Sequence, residues 1–186
     1  MKWRIAALSL MCIIGIAIIV NALPKSSPVT LISENFEGKF PPEGWQVIAL
    51  GNPGGVWARN DYWEMPNYAG KGYCACADSG NFKYDMATEL RTPVINLKGY
   101  KKATLTFDMD FRCDNTVNIF NRGHAMLIIY VNGKKEIVKE WSHNYHGKVK
   151  VDLTPYVGKE IVIAWRYYGD YIYWMEIDNV KVVAEK

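Results

Sequence analysis

Four residues near the two ends of the chain carry side-chain oxygen atoms of the kind that bind metal ions. Glu34, Asn35 and Glu37 lie close together near the start of the predicted folded region, and Asp178 lies near the end of the chain. Carboxylate and amide oxygens are the ligands that Ca²⁺ prefers in proteins. The four can form one site only if the two chain ends meet. The alternative is that Glu34 and Asp178 accept backbone hydrogen bonds at strand ends.

A second acidic pair, Asp108 and Asp110, lies in a segment that alternates apolar and polar residues. In a strand the two carboxylates project to one side, about 7 Å apart, and glycoside hydrolases use comparable separations across a cleft. The sequence contains no Gly-x-Ser-x-Gly elbow and no phosphate-binding glycine loop. We therefore expect these aspartates to form ion pairs, with Arg112 or with Arg166 on a neighbouring strand.

Residues 51–72 combine loop-forming residues with several aromatic rings. Their many Gly, Pro and Asn residues predict a long loop, and long loops on rigid scaffolds commonly carry function. Tyr62, Trp63 and Tyr68 are therefore the predicted ligand-binding residues, and we expect all three to be more exposed than the tryptophans of the core. The alternative is that these rings fold back over the edge of the protein.

The elements that must position these residues are β-strands. Apolar residues take every second position from Thr104 to Arg112, and Asn132-Gly133 between two strand-like runs predicts a type I′ hairpin. Further strands are predicted over residues 125–131, 135–141, 148–153, 161–168 and 174–183. Helix signals are nearly absent after the first 22 residues, so the pattern predicts an all-β antiparallel sandwich. Its predicted core includes Trp45, Phe107, Phe111, Ile163, Trp165 and Ile177.

The first residues of the chain have the composition of an export signal. Lys2 and Arg4 precede an uncharged apolar run over residues 5–20, and Ala22 offers a small residue for cleavage. The alternative is an uncleaved membrane anchor helix over residues 5–23. Either arrangement places the rest of the chain outside the cytoplasm. The predicted organisation is a signal peptide or anchor over residues 1–22, a linker over 23–31 and one domain over 32–186.

The charge balance and the cysteine count limit the possible binding partners and disulfide bonds. Without the leader, 20 of the 22 basic residues remain against 19 acidic residues, and this near-neutral balance argues against a nucleic-acid partner. Cys12 lies in the leader, so three cysteines remain in the exported part. Either Cys113 forms a disulfide with Cys74 or Cys76, or all three are buried thiols that pack as small hydrophobic residues.

Three motifs occur in a characteristic order. They are Ser-Glu-Asn-Phe-Glu-Gly over residues 33–38, Glu-Leu-Arg-Thr-Pro-Val-Ile-Asn-Leu over 89–97 and Trp-Met-Glu-Ile-Asp-Asn-Val over 174–180. Their order and spacing resemble those of choice-of-anchor J or cleaved-adhesin domains, relatives of the MAM domains. The resemblance extends over about residues 32–183, and it implies an extracellular antiparallel jelly-roll that binds rather than catalyses.

The same resemblance implies that the first and last strands meet and that a structural calcium ion joins them. The implied ligands are Glu34, Asn35, Glu37 and Asp178. Asn35 stands where the family frequently has an aspartate, which removes one charge from the site but keeps a carbonyl oxygen. The resemblance also places Trp57 in the core.

These observations favour an extracellular, non-catalytic binding module on a calcium-stabilised jelly-roll, with a glycan or a surface protein as its partner. The alternatives are a secreted glycoside hydrolase-like enzyme and a structural subunit of a cell-surface complex. Aromatic rings exposed in a groove would favour the binding module, and a carboxylate pair facing a cleft would favour the enzyme. A large flat apolar patch would favour the subunit. Contact with a membrane is expected only through residues 5–23, if that segment remains uncleaved.

Overall fold

The computed structural model describes residues 27–113, 123–169 and 173–186. These residues form twelve β-strands in two antiparallel sheets that pack as a jelly-roll sandwich, as the sequence predicted. The strands are β1 (Val29–Glu34), β2 (Gln46–Ala49), β3 (Ala58–Arg59), β4 (Ala75–Asp78), β5 (Met86–Arg91), β6 (Ile95–Asn96), β7 (Lys102–Phe111), β8 (Gly123–Val131), β9 (Lys134–Trp141), β10 (Tyr145–Asp152), β11 (Glu160–Gly169) and β12 (Trp174–Glu185). The remaining regular elements are helix α1 (Ser79–Phe82) and 3₁₀ turns at Asn60–Trp63 and Thr154–Tyr156.

The two chain ends meet in one sheet. Sheet 1 has the strand order β10-β7-β12-β4-β3, with β1 also paired to β12; sheet 2 has the order β2-β5-β11-β8-β9, with β6 also paired to β11. Val29 lies opposite Ala184, and Glu34 lies opposite Val180. The prediction that the first and last strands are neighbours is therefore confirmed.

The core lies between the sheets and is filled by the apolar positions of each alternating strand. Trp165 stacks on Trp45 with a ring separation of 5.9 Å and meets Phe107 edge to face at 5.4 Å. Trp57 is 1% exposed, which confirms its place in the core. The predicted core residues are all buried: Trp45, Phe107, Phe111, Ile163, Trp165 and Ile177.

The strand pattern also fixes which side chains point out of the sandwich. Met175 and Ile177 are buried between the sheets, so Trp174, Glu176 and Asp178 project from the outer face of sheet 1. The turn between β8 and β9 has positive φ at Asn132 (51°) and Gly133 (75°). These angles confirm the predicted type I′ hairpin.

The cysteines pack as apolar side chains. Cys74, Cys76 and Cys113 remain thiols, and all three are buried. Burial, together with the nearby Glu176 carboxyl, raises the pKa of Cys74 and of Cys76 far above the ordinary value. A thiol that does not ionise is a poor nucleophile, so both residues contribute packing rather than chemistry.

The predicted leader over residues 1–22 lies outside the described residues. β1 begins at Val29, so the strand takes in the last part of the segment predicted as a linker. Among the helices of the described residues, none has the length and apolar character needed to cross a membrane.

Candidate ligand-binding site

The loop over residues 60–73 lies across the outer face of sheet 1 and is held there by buried polar contacts. Asn60 accepts from the amide of Cys74 at 3.0 Å and donates to the carbonyl of Met65 at 2.8 Å. The indole of Trp63 donates to the carbonyl of Cys76 at 3.2 Å. These contacts hold the first part of the loop, residues 60–65, against β4 and against Cys74 just before it.

The three predicted ligand-binding rings of this loop differ in exposure. Tyr62 is 68% exposed and Tyr68 is 44% exposed, as predicted. Trp63 is only 7% exposed, slightly less than Trp45 at 8%, so the prediction that it is the more exposed of the two is wrong. The reason is its indole, which packs edge to face on Phe82 and is fixed by the hydrogen bond to β4.

Tyr68 lies on a second ring that the sequence prediction did not include. Its ring stacks on Trp174 with a centroid separation of 5.2 Å and an interplanar angle of 20°. Trp174 is half-buried, and its indole donates to Oδ1 of Asp110 at 3.0 Å. The signal was present in the sequence, because Trp174 alternates with buried Met175 and therefore faces outward.

The carboxylate of Asp110 is the shared hydrogen-bond acceptor on the outer face of sheet 1. The side chain is wholly buried, yet it accepts hydrogen bonds from three other side chains. Arg112 donates from Nε and Nη2 at 3.0 Å each, His146 donates from Nδ1 at 3.0 Å, and Trp174 donates from its indole. The predicted pairing with Arg112 is confirmed. The alternative pairing with Arg166 is wrong, because that residue lies on sheet 2 and binds Glu89.

This arrangement does not favour the glycosidase alternative. Both oxygens of Asp110 are committed to fixed donors. Asp108 accepts from the side-chain amide of Asn179 at 3.0 Å and pairs with Lys148 at 3.4 Å. A general acid requires a carboxyl that holds a proton next to the reacting bond. Asp110 is instead built to position other side chains.

A groove of about 530 Å³ opens beside the stacked rings. It is lined by Tyr68, Ala69, Gly70, Lys71, His146 and Asn179, and we call it the sheet 1 groove. One wall is an aromatic face, and the others carry an imidazole, an ammonium group and an amide. An apolar surface beside a few fixed polar groups is the usual composition of a small-molecule site.

Glu176 fixes the loop at this groove from below. Its carboxyl is wholly buried and accepts the backbone amides of Tyr68 at 2.7 Å and Ala69 at 3.2 Å. Burial is the largest of the effects that together raise the pKa of Glu176 to about 8; the nearby charge of Asp110 acts in the same direction, and the two amides oppose it. The backbone that carries Tyr68 is thus held by a carboxyl that is protonated over much of the physiological range.

Two of the four predicted metal ligands contact the same loop. Glu37 accepts the amide of Tyr73 at 2.9 Å, and Asp178 accepts the side-chain amide of Asn67 at 3.0 Å, so both hold the loop over residues 67–73. Burial raises the pKa of Asp178, and the neighbouring charges of Asp108 and Glu37 add to the shift.

The other two predicted ligands, Glu34 and Asn35, make local hydrogen bonds within residues 34–37. Glu34 accepts the amide of Phe36 at 2.6 Å, and Asn35 accepts the amide of Glu37 at 3.4 Å. Over residues 27–113, 123–169 and 173–186, no three or more Asp, Glu, His or Cys side chains are grouped as a metal-binding set. The carboxylates of Glu37 and Asp178 are oxygen donors of the type that suits a hard cation, and both contact the loop over residues 67–73.

Comparisons with known proteins identify solved structures that have a similar fold. The sequence matches no family model, and no curated protein matches it. The K3 cleaved adhesin domain of Lys-gingipain from Porphyromonas gingivalis W83 is similar in structure, with a TM-score of 0.58, 19% identity and coverage of 84% of this chain and 99% of that domain. The K1 domain of the same protein has a TM-score of 0.55 and 18% identity, with coverage of 84% of this chain and 97% of that domain.

A carbohydrate-binding module has a similar structure as well. TmCBM61, solved in complex with β-1,4-galactotriose, has a TM-score of 0.53 and 15% identity, with coverage of 80% of this chain and 93% of that module. At these identities the likeness establishes the fold alone. The chain therefore has the sandwich fold that the cleaved adhesin domains and this carbohydrate-binding module share.

Proposed function

We propose that this protein is an extracellular, non-catalytic binding module that recognises a neutral glycan in the sheet 1 groove. The observation that carries the proposal is the exposed ring of Tyr68, backed by Trp174 and fixed through Asp110. The adhesin domains and the galactotriose-binding module among its structural neighbours support a binding role. The predicted export signal over residues 1–22 supports a location outside the cell.

The chemistry of the groove suits a sugar ring. A pyranose presents one face of C–H groups, which packs on an aromatic ring and excludes water. Its hydroxyls would be met by His146, Lys71 and Asn179 around the same groove. Because the Tyr68 backbone is already fixed by Glu176, little conformational entropy is lost when the sugar binds.

A galactose unit is the form of sugar that we propose for the stacking position. In galactose the axial O4 lies on one face of the ring, so the opposite face is a continuous apolar surface. That surface matches the exposed side of Tyr68, and the galactotriose complex of a structural neighbour supports the same choice. A surface protein displaying such glycans would be bound through the same groove.

Replacing Tyr68 by alanine tests the groove directly. We expect Tyr68→Ala to weaken the binding of β-1,4-galactotriose by about tenfold or more, since the stacking surface is lost. The measurement is isothermal titration calorimetry on the exported part of the chain. The melting temperature should change little, because the ring is 44% exposed.

Tyr62→Ala is the matched control. Tyr62 belongs to the same loop and is the more exposed ring, but it packs on Trp63 and does not line the sheet 1 groove. Its loss should leave affinity unchanged. Equal losses in the two variants would instead support the original three-ring prediction, and a wild-type protein that binds no galactoside would refute the proposed ligand.

We also propose that a calcium ion supports the scaffold beside this loop. The support is that the Glu37 and Asp178 carboxyls hold the same loop and that the charge of Glu37 adds to the raised pKa of Asp178, a repulsion that a cation would relieve. Calcium at 100 times its dissociation constant would stabilise the fold by about 2.7 kcal/mol, equivalent to about 5–10 °C in melting temperature.

The calcium proposal is tested by melting curves in calcium and in EDTA. Asp178→Asn should remove the difference between the two curves, whereas Glu43→Gln, at an exposed position outside the terminal strands, should preserve it. Identical curves for the wild-type protein in calcium and in EDTA would show that Glu37 and Asp178 act only as hydrogen-bond acceptors of the loop.

A further inference from the structure

The outer face of sheet 2 carries a buried carboxylate that is bound by two arginines. Glu89 is wholly buried although it projects away from the core. It accepts from Nε of Arg91 at 2.6 Å, from Nε of Arg166 at 2.6 Å and from the hydroxyl of Tyr130 at 3.1 Å. We call these four residues the Glu89 cluster. Two guanidinium groups on one carboxylate leave the cluster with a net charge of +1.

One guanidinium of the cluster is available to a ligand. The side chain of Arg91 is 27% exposed, whereas that of Arg166 is 12% exposed. Nε and Nη2 of Arg91 donate to Glu89 and Tyr130, but its Nη1 donates to no group among the described residues. Because its guanidinium lies 4.6 Å from the centre of the Tyr130 ring, the orientation of Arg91 is fixed before any ligand arrives.

A groove of about 600 Å³ lies beside Arg91, and we call it the sheet 2 groove. Its other walls include Pro93, Val94 and Val162, which are apolar, and Val94 is 65% exposed. Glu160 also borders the groove, but Lys98 neutralises it at 2.7 Å. The groove thus combines one fixed positive charge with an adjacent apolar wall.

We propose that the sheet 2 groove binds a hexuronate residue of an acidic glycan. A planar guanidinium donor matches a planar carboxylate, and a single net positive charge matches a monoanion better than a phosphate or sulfate cluster. The C–H face of the same sugar ring would pack on the apolar wall. This site is on the opposite sheet from the sheet 1 groove and does not depend on the neutral glycan proposed there.

The test compares trigalacturonate with its methyl ester, which lacks the charges and keeps the rings. We expect trigalacturonate to bind the wild-type protein and the ester to bind about tenfold more weakly or worse, because the contact with Arg91 requires a carboxylate. Added salt should weaken the binding of the acid and leave that of the ester unchanged. Both are measured by titration calorimetry. Equal binding of acid and ester, or no binding of the acid, would overturn the proposal.

Val94→Asp places a like charge in the groove without disturbing the core, and Val94→Thr is the control of similar shape. We expect Val94→Asp to weaken trigalacturonate binding about tenfold or more, while Val94→Thr binds as the wild type does. Tyr68→Ala should also bind trigalacturonate normally. If Tyr68→Ala abolished this binding, the acidic sugar would lie on sheet 1 and the assignment to sheet 2 would be wrong.

Discussion

Replacing Asp110 by alanine is expected to lower the free energy of unfolding by about 3 kcal/mol and to weaken galactotriose binding by at least about tenfold. Removal of the buried carboxylate leaves the indole of Trp174, the guanidinium of Arg112 and the imidazole of His146 without their shared acceptor. The half-buried indole then has no partner, and the ring that supports Tyr68 is no longer fixed. One substitution lowers both stability and affinity because the same buried carboxylate holds the sheet side chains and the Trp174 ring that supports Tyr68.

Urea denaturation and titration calorimetry measure the two effects separately. Asp108→Ala is the matched control for stability: it removes an aspartate from the same strand and the same face, but one that is 20% exposed and paired with a lysine at the surface. Its ion pair with the exposed Lys148 and its hydrogen bond from the side-chain amide of Asn179 together contribute about 1 kcal/mol. If the two variants lost equal stability, burial would not distinguish the two aspartates, and the proposed importance of Asp110 as a shared buried acceptor would be wrong.

The strands and their inward faces could be predicted from the sequence because alternation is a local signal. The run from Thr104 to Arg112 places its odd positions in the core, and Asn132-Gly133 supplies the positive φ angles that a tight hairpin requires. The meeting of the terminal strands is a long-range feature. It was implied by the family resemblance rather than by any local pattern.

The candidate site was harder to predict because its contacts join distant parts of the chain. Trp63 and Tyr68 lie in the same loop with similar surroundings in sequence, and burial of Trp63 depends on a hydrogen bond to Cys76 that only the folded loop creates. Residues 174–183 predict a strand, but no local pattern indicates that Trp174 lies against Tyr68.

The Glu89 cluster shows the same limit. Glu89 and Arg91 belong to a recognised motif, but the partner that allows Glu89 to be buried, Arg166, lies 77 positions further along the chain. Local patterns carry no information on such a pairing. From the sequence alone, Arg166 could pair with Asp108 or Asp110 of β7. That pairing is excluded because β7 and Arg166 belong to different sheets.

Glu176→Gln is expected to make the protein more stable at alkaline pH and to reduce the dependence of its stability on pH. Burial raises the pKa of Glu176 from 4.5 to about 8 in the folded state, whereas in the unfolded chain the carboxyl has its ordinary value. Between those two values the folded state binds more protons than the unfolded state, so stability falls as the pH rises through this window. Below pH 4.5 both states are protonated and there is no penalty.

The expected gain for Glu176→Gln at pH 8–9 is roughly 3–5 kcal/mol, because each pKa unit corresponds to about 1.4 kcal/mol. The amide oxygen of glutamine still accepts from the backbone of Tyr68 and Ala69, so the loop stays in place. Burial also raises the pKa of Asp78 and of Asp178. Their contributions have the same sign and are common to both proteins, so the difference between the two curves isolates Glu176.

Urea denaturation from pH 5 to pH 9 provides the measurement, with Glu185→Gln at the exposed end of β12 as the control. The control should follow the wild-type curve, whereas the Glu176→Gln curve should separate from it progressively above pH 5. Parallel curves would mean that the Glu176 carboxyl ionises in the folded state as readily as in water. The amides of Tyr68 and Ala69 would then have offset the full cost of burying the charge, and the loop would be held by a carboxylate instead of a carboxylic acid.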